Sequence, residues 1–289
     1  MKIVHAGKSL LGEGPTWDEQ RQRLFWLDGL GKLIHLFDPA SGKNASFPVP
    51  QPVGSLTLTD RNDVLLLALQ DGLYTLDITD GHLALYLPLE TELPGNRFND
   101  GKCDRAGRFW FGSMNTAANS GDANCAATGS VYCLERREVR KVFSGVTISN
   151  GLGWSPDNRR FYYIDSPLKA VAAFDFDVAR GELSQRRVVV TLEEGLPDGL
   201  AVDAEGMLWV AIWGGYRVCR FDPRNGTCLA ELRFPVKNIT SCAFGGARLD
   251  ELYVTSSSLE AEGTEREVAG ALFHTPPGVR GTPSHRFVF

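Results

Sequence analysis

Along the chain, short alternating or continuous apolar runs recur between turn clusters, and no stretch carries the 3.6-residue period of a long amphipathic helix. The runs come in pairs. A polar residue and a Gly open a short alternating segment, a tight turn rich in Asp, Asn and Gly follows, and a strongly apolar or aromatic segment comes next. Copies of this unit occupy 13–18 with 24–28, 53–58 with 64–68, 100–104 with 108–112, 150–154 with 160–165, 198–203 with 208–211, and 241–245 with 251–255. The last has Cys242 in place of the Gly.

The opening positions are 14, 54, 101, 151, 199 and 242, so successive copies are 40, 47, 50, 48 and 43 residues apart. An all-β repeat of that length is the spacing of propeller blades with four strands each. Third strands are predicted at 33–37, 72–76, 130–134, 170–174 and 217–221, with Asp38-Pro39 and Asp222-Pro223 among the turns that close them. A ring of blades must also close, because open strand edges invite aggregation. Residues 2–6 precede the first inner strand, so they are expected to complete the last blade as its outer strand. The expectation is an all-β, six-bladed β-propeller filling residues 1–289 as one domain, its ring closed by the N-terminal strand.

Composition sharpens this picture in three places. A hydrophobic fraction of 43% suits a buried core, while 31 Gly and 15 Pro suit many turns. The net charge of −5, with no block of like charge, argues against a nucleic-acid partner. The six cysteines form no C-x-x-C pair and read as reduced, mostly buried thiols. Residues 1–14 lack the pattern of a signal peptide, and no window approaches the ~20 apolar residues of a membrane span. The expected protein is soluble and cytoplasmic, with no membrane contact and no protein partner implied.

Inner strands of a propeller line its axis, so equivalent positions on them converge. The column before the repeated Gly reads Glu13, Val53, Asp100, Asn150, Asp198 and Ser241, and four of these six are carboxylate or carboxamide residues. Asp-Gly and Asn-Gly pairs are common turn signals, so any one of them alone reads as a turn. Their shared register is what points to a site. Oxygens crowded into a partly desolvated channel repel one another unless a cation neutralises them, and such ligands suit Ca²⁺, Mg²⁺ or Mn²⁺. Arg97 and Asn99 lead into the third inner strand beside that column. Asp28, Asp165 and Asp203 read as turn caps, and the five histidines share no metal-site spacing.

At these residues the chain resembles the senescence-marker-protein/gluconolactonase family, also called regucalcin-like. The matching stretches are Gly12-Glu13-Gly14-Pro15, Arg97-Phe98-Asn99-Asp100-Gly101-Lys102, Ser149-Asn150-Gly151-Leu152, Pro197-Asp198-Gly199 and Phe244-Gly245-Gly246 with 252–256. They fall in order in five of the six blades. The resemblance implies a metal-dependent sugar lactonase in which Glu13, Asn150 and Asp198 hold one divalent ion, Ca²⁺ being favoured and Zn²⁺, Mn²⁺, Mg²⁺ or Fe²⁺ also accommodated. It implies that Asp198 doubles as the general base and that Arg97 and Asn99 contact the substrate, a sugar lactone such as an aldonolactone. Asp100 and Asn115 remain as supporting groups. One departure bears on substrate choice: where several members of the family carry an acidic substrate contact shortly after the turn matching Gly112-Ser113-Met114, this chain has no acid before Asp122, and the small, polar loop through Thr128 reads as a rim or lid. The alternatives are a non-enzymatic calcium- or protein-binding propeller and a related esterase acting on non-sugar substrates.

Overall fold

A computed structural model describes residues 1–120 and 126–289, with side chains described except at 119–125. It contains six antiparallel sheets of four strands. The innermost strands are Gly12–Asp18, Val53–Leu58, Asn96–Cys103, Ser149–Trp154, Leu196–Val202 and Ile239–Gly245. Each packs against the next, and the sixth packs against the first, so the ring is closed. The only helical turns among the described residues are three short 3-10 segments at Thr116–Ser120, Ser166–Leu168 and Gly263–Glu267. The fold is the six-bladed β-propeller that the repeat implies.

Closure works as expected. The strand Lys2–His5 is the outermost of the sixth blade and pairs antiparallel with Leu272–Thr275. Trp17 of the first blade stacks on Tyr253 of the sixth, ring centroids 5.7 Å apart and nearly parallel. Thr240 Oγ1 donates to the carbonyl of Gly12, tying the two inner strands at the seam. The third strands lie where anticipated, extended by a residue or more at four of the five positions, and the sixth blade has its own at Leu272–Thr275. Apolar faces of adjacent blades interlock. Phe25, Leu27 and Ile34 of the first blade, for example, pack on Leu56, Leu65 and Leu67 of the second.

One local feature positions everything that follows. In all six blades the inner strand loses register with its neighbour near its start: after Glu13, Val53, Phe98, Asn150, Pro197 and Ile239. An irregularity of this kind leaves one or two residues unpaired and turns their side chains. In four blades a repeated Gly (Gly14, Gly54, Gly151, Gly199) sits within the break. Space explains Gly151, since a Cβ there would lie 2.5 Å from the Asp198 carbonyl oxygen. In the sixth blade the break falls at Thr240, two residues before Cys242, which the alignment sets in place of the Gly.

The remaining structural expectations concern thiols and turn acids. Cys103, Cys133, Cys219 and Cys242 are buried free thiols and Cys228 is an exposed one, whereas Cys125 lies outside the described residues. Asp28 accepts hydrogen bonds from the backbone N–H groups of Leu10, Leu11 and Gly31, and Asp165 from those of Thr147 and Ile148. Both are turn anchors, as read. Among the described residues, no helix is long and apolar enough to cross a membrane.

Candidate metal centre

The register breaks gather Glu13, Asn99, Asp100, Asn150 and Asp198 at one end of the channel, all buried, with Arg97 beside them. A carboxylate withdrawn from water needs donors or a cation to stay charged. Here donors are scarce. Glu13 receives its own strand's Gly14 N–H at 3.1 Å, and Asp100 receives Gly101 N–H at 2.8 Å. Asp198 Oδ1 and Asp100 Oδ2 are buried with no hydrogen-bond partner.

The electrostatics follow from that scarcity. Burial, and then the Asp100 charge, push the Glu13 carboxyl up to about 8. Asp198 is raised well above the usual carboxylate range by burial, then by Glu13 and Asp100. Asp100 is raised chiefly by burial. The compensating positive charges are Arg97, which acts on Glu13 and Asp198, and Lys102, which acts on Glu13 and Asp100. Burial lowers Arg97 to about 10, so it stays a cation at neutral pH. Three carboxyl groups face two cations, a set that is short of positive charge.

Asn150 is held from both sides. Asn99 Nδ2 donates to Asn150 Oδ1 at 2.9 Å and to the Ser149 carbonyl at 2.7 Å. Asn150 Nδ2 donates at 2.8 Å to Ser166 Oγ, which in turn donates to the Pro197 carbonyl at 2.6 Å, next to Asp198. This chain fixes the amide so that Oδ1, with a second lone pair, is an oriented oxygen ligand. Ser166 was not singled out by its sequence, because it stands in a turn with no repeat register. Its role becomes visible only once the 166–168 turn folds over the fifth inner strand.

Arg97 completes the arrangement. Its Nη1 donates to Asn99 Oδ1 at 2.6 Å and to the Phe98 carbonyl at 3.0 Å, while its buried Nε has no partner. The guanidinium therefore keeps a free edge for oxygens of a bound molecule. Asn99 spends both amide hydrogens on Ser149 and Asn150, so it braces Asn150 and offers a ligand only its oxygen. Asn115 sits on the same rim, where its Oδ1 accepts Ala117 N–H at 3.0 Å and its Nδ2 donates to the Ala126 carbonyl at 3.2 Å. The anticipated lid spans residues outside the described set, Asp122 among them. A neighbouring network also escaped the sequence. Buried Glu90 accepts from Ser113 and Tyr132 hydroxyls at 2.6 Å and from Asn96 Nδ2 at 3.0 Å, anchoring the strand that carries Arg97.

The fit to a divalent ion can be judged on these atoms. Glu13, Asn150 and Asp198 offer hard oxygens, Asp198 Oδ1 is an orphan, and burial and mutual repulsion raise both carboxyls, which a divalent ion would relieve. Among the described residues, no group of three or more His, Cys, Asp or Glu side chains forms a metal site. The oxygen set here is instead two carboxylates and one amide. The residues suit an oxygen-ligated ion.

The SMP-30/Gluconolactonase/LRE-like region model matches residues 11–258. A protein named regucalcin from Gallus gallus is 38% identical, over 99% of this chain and 98% of its own. A putative sugar lactone lactonase, YvrE, from Bacillus subtilis is 36% identical, over 92% of this chain and 91% of its own. Among solved structures, a calcium-binding protein described as regucalcin from Agrobacterium tumefaciens superposes with a TM-score of 0.91 at 30% identity, covering 99% of this chain and 96% of that one.

Proposed function

The chain belongs to the SMP-30/Gluconolactonase/LRE-like family, and from that membership and the axial carboxylates we propose that it hydrolyses a sugar lactone with one divalent metal ion. Glu13, Asn150 and Asp198 would hold the ion, Ca²⁺ being the first choice for an all-oxygen set. The observation that carries this reading is the orphaned Oδ1 of buried Asp198, beside a Glu13 carboxyl pushed up to about 8. Both features disappear if a cation sits between the two groups.

A divalent ion there would polarise the lactone carbonyl and acidify a bound water. The chain's own part is then specific. Asp198 takes the proton from the attacking water through its carboxylate. The free edge of Arg97 binds ring hydroxyls, or the oxygen on which negative charge develops, and orients the carbonyl. Asn99 keeps Asn150 aligned, and Ser166 keeps the backbone of Pro197 and hence Asp198 in place. The substrate is a hydroxylated lactone such as glucono-, xylono-, arabinono- or galactonolactone, with room in this scheme for an anionic substituent at Arg97.

A pH-indicator assay of the purified protein against a panel of aldonolactones tests this, run as isolated, after chelation and after adding back single metals. Acid release above the spontaneous rate that chelation abolishes supports the reading, and the ranking identifies the sugar. No acceleration on any lactone with any metal sinks it. That outcome, with stoichiometric calcium binding, would favour a calcium-binding propeller without catalysis, a role suggested by the description of the Agrobacterium tumefaciens relative as a calcium-binding protein.

A further inference from the structure

At the opposite mouth of the channel from the carboxylates lies a cavity of about 480 Å³. Its walls are the far ends of the inner strands and the tail segment 281–285, which crosses that mouth. The tail is firmly set. Gly281 bridges to Asp203, Phe287 is buried and bridges to Thr59, and Arg286 bonds Asp18 and the Thr59 carbonyl. The cavity is therefore a feature of the folded chain, enclosed partly by its own C-terminal strap.

Its lining is unusual in charge. The whole chain has 35 acidic and 30 basic residues, yet the lining includes Lys102 and Arg105 and no Asp or Glu, while burial lowers the pKa of His285, which also faces it. Of the acids near this lining, Asp100 and Glu13 act on Lys102 from the other end of the channel, and Glu19 accepts the Ser284 N–H at the rim. Asp104 binds Arg108 and the Trp110 indole, Asp203 binds Arg220 and the Trp209 indole, and Asp157 binds Ser155 Oγ. Arg105 forms no ion pair or hydrogen bond among the described residues, and the Lys102 ammonium spends one of its three hydrogens on the Leu200 carbonyl. Between these cations the walls are apolar, with Leu56, Trp154 and Phe244 among them. A pocket with positive charge at depth and rim, and apolar sides between, matches an anion with an apolar body.

We propose that this rear cavity binds a small organic carboxylate, its anionic group held by Lys102 and Arg105 and its apolar body against Trp154 and Phe244. The inference does not depend on what the front site hydrolyses. It is tested on the full-length protein by calorimetric titration with benzoate at constant ionic strength, with Trp fluorescence as a second readout.

Saturable binding is expected, weakened at least fivefold by Arg105→Ala. Asn158→Asp, which places a carboxylate of the same shape in the lining, should weaken it similarly. Asn158 has a φ of 57°, a conformation Asp tolerates, so this variant should fold. Binding unaffected by both variants, or lost on chelation, would assign the ligand to another place and overturn the proposal. So would equal affinity for neutral benzyl alcohol, which leaves only an apolar hole. Equal affinity for inorganic phosphate would replace the organic class by a simple anion site. Absence of any saturable binding would end the idea outright.

Discussion

Asp198 and Asp203 stand on the same blade, five residues apart, both almost wholly buried, and they lead opposite lives. Asp203, at the rear end, is fully partnered. Its Oδ1 accepts backbone N–H groups of Glu205 and Met207 at 2.9 Å, and its Oδ2 accepts the Trp209 indole at 3.0 Å and Arg220 Nε at 2.7 Å. Asp198, at the front end, keeps Oδ1 without any partner and is raised well above the ordinary carboxylate range. The third blade repeats the contrast: Asp104 is bound by Arg108 and Trp110, whereas Asp100 has an orphan oxygen. Fold stability accumulates at one end of the inner strands and unspent electrostatic potential at the other. A buried acid whose partners are missing is a candidate for a ligand from outside; one whose partners are all present is architecture.

Substitutions can break this comparison. Asp198→Ala should lower kcat by at least about 10³-fold while leaving the chelated protein as stable as before or more so, because it removes a buried carboxyl whose Oδ1 has no partner. Near-normal turnover with stoichiometric metal would refute both the ligand and the base assigned to it. Asp203→Ala should do the reverse. It strands Arg220 and the Trp209 indole, costing about 3 kcal/mol in denaturant unfolding while kcat of the folded fraction stays within about twofold. Arg220 is partly solvated and also pairs with Glu205 at 2.6 Å, which keeps the cost at the lower end of the range for broken buried pairs. A smaller effect is expected from Arg97→Ala: KM rises about tenfold, kcat falls less, and metal affinity drops little. A pure kcat loss would move Arg97 from substrate binding to charge stabilisation.

How much of this contrast is written in the sequence differs between its two halves. The blade count followed from five Gly residues and six aromatic or apolar second strands, because periodicity is a property of the chain itself. The outer strands, such as Lys43–Pro48 and Cys228–Arg233, are short and largely exposed, so their pattern is too polar to be located individually. At the site, Glu13, Asn150 and Asp198 share a register that can be counted, and the structure brings them to one channel end. The brace from Arg97 through Asn99 to Asn150 and on to Ser166 cannot be counted. After the local step from Arg97 to Asn99 its links span 51 and 16 positions, and they exist only after the blades pack. Nor does an Asp-Gly pair announce which end of a strand will leave its carboxylate unpaired. That depends on where the ladder breaks, and a break between Pro197 and Leu200 is a tertiary fact.

The subtlest test concerns protons. The Glu13 carboxyl lies at about 8 in the folded, metal-free chain against about 4.5 when exposed, and Asp198 is displaced in the same direction. Between those values the folded state binds more protons than the unfolded state, so unfolding releases protons and stability must fall as pH rises. The chelated protein should therefore lose stability steadily from about pH 4.5 to 8, by up to about 1.4 kcal/mol per unit for each such group. A divalent ion held by the proposed ligands would take the place of those protons, so the metal-loaded protein should hold its stability through the same window. The gap between the two Tm values should then widen with pH, and metal binding near pH 7 should release protons, measurable as a buffer-dependent binding enthalpy. Asp203→Ala, with the front site intact, should keep that widening gap on a lower baseline, and Asp198→Ala should shrink it. A gap independent of pH in the unmodified protein would mean that Glu13 and Asp198 are already ionised without metal, and the distinction between the two ends of the strand would then lie in geometry alone.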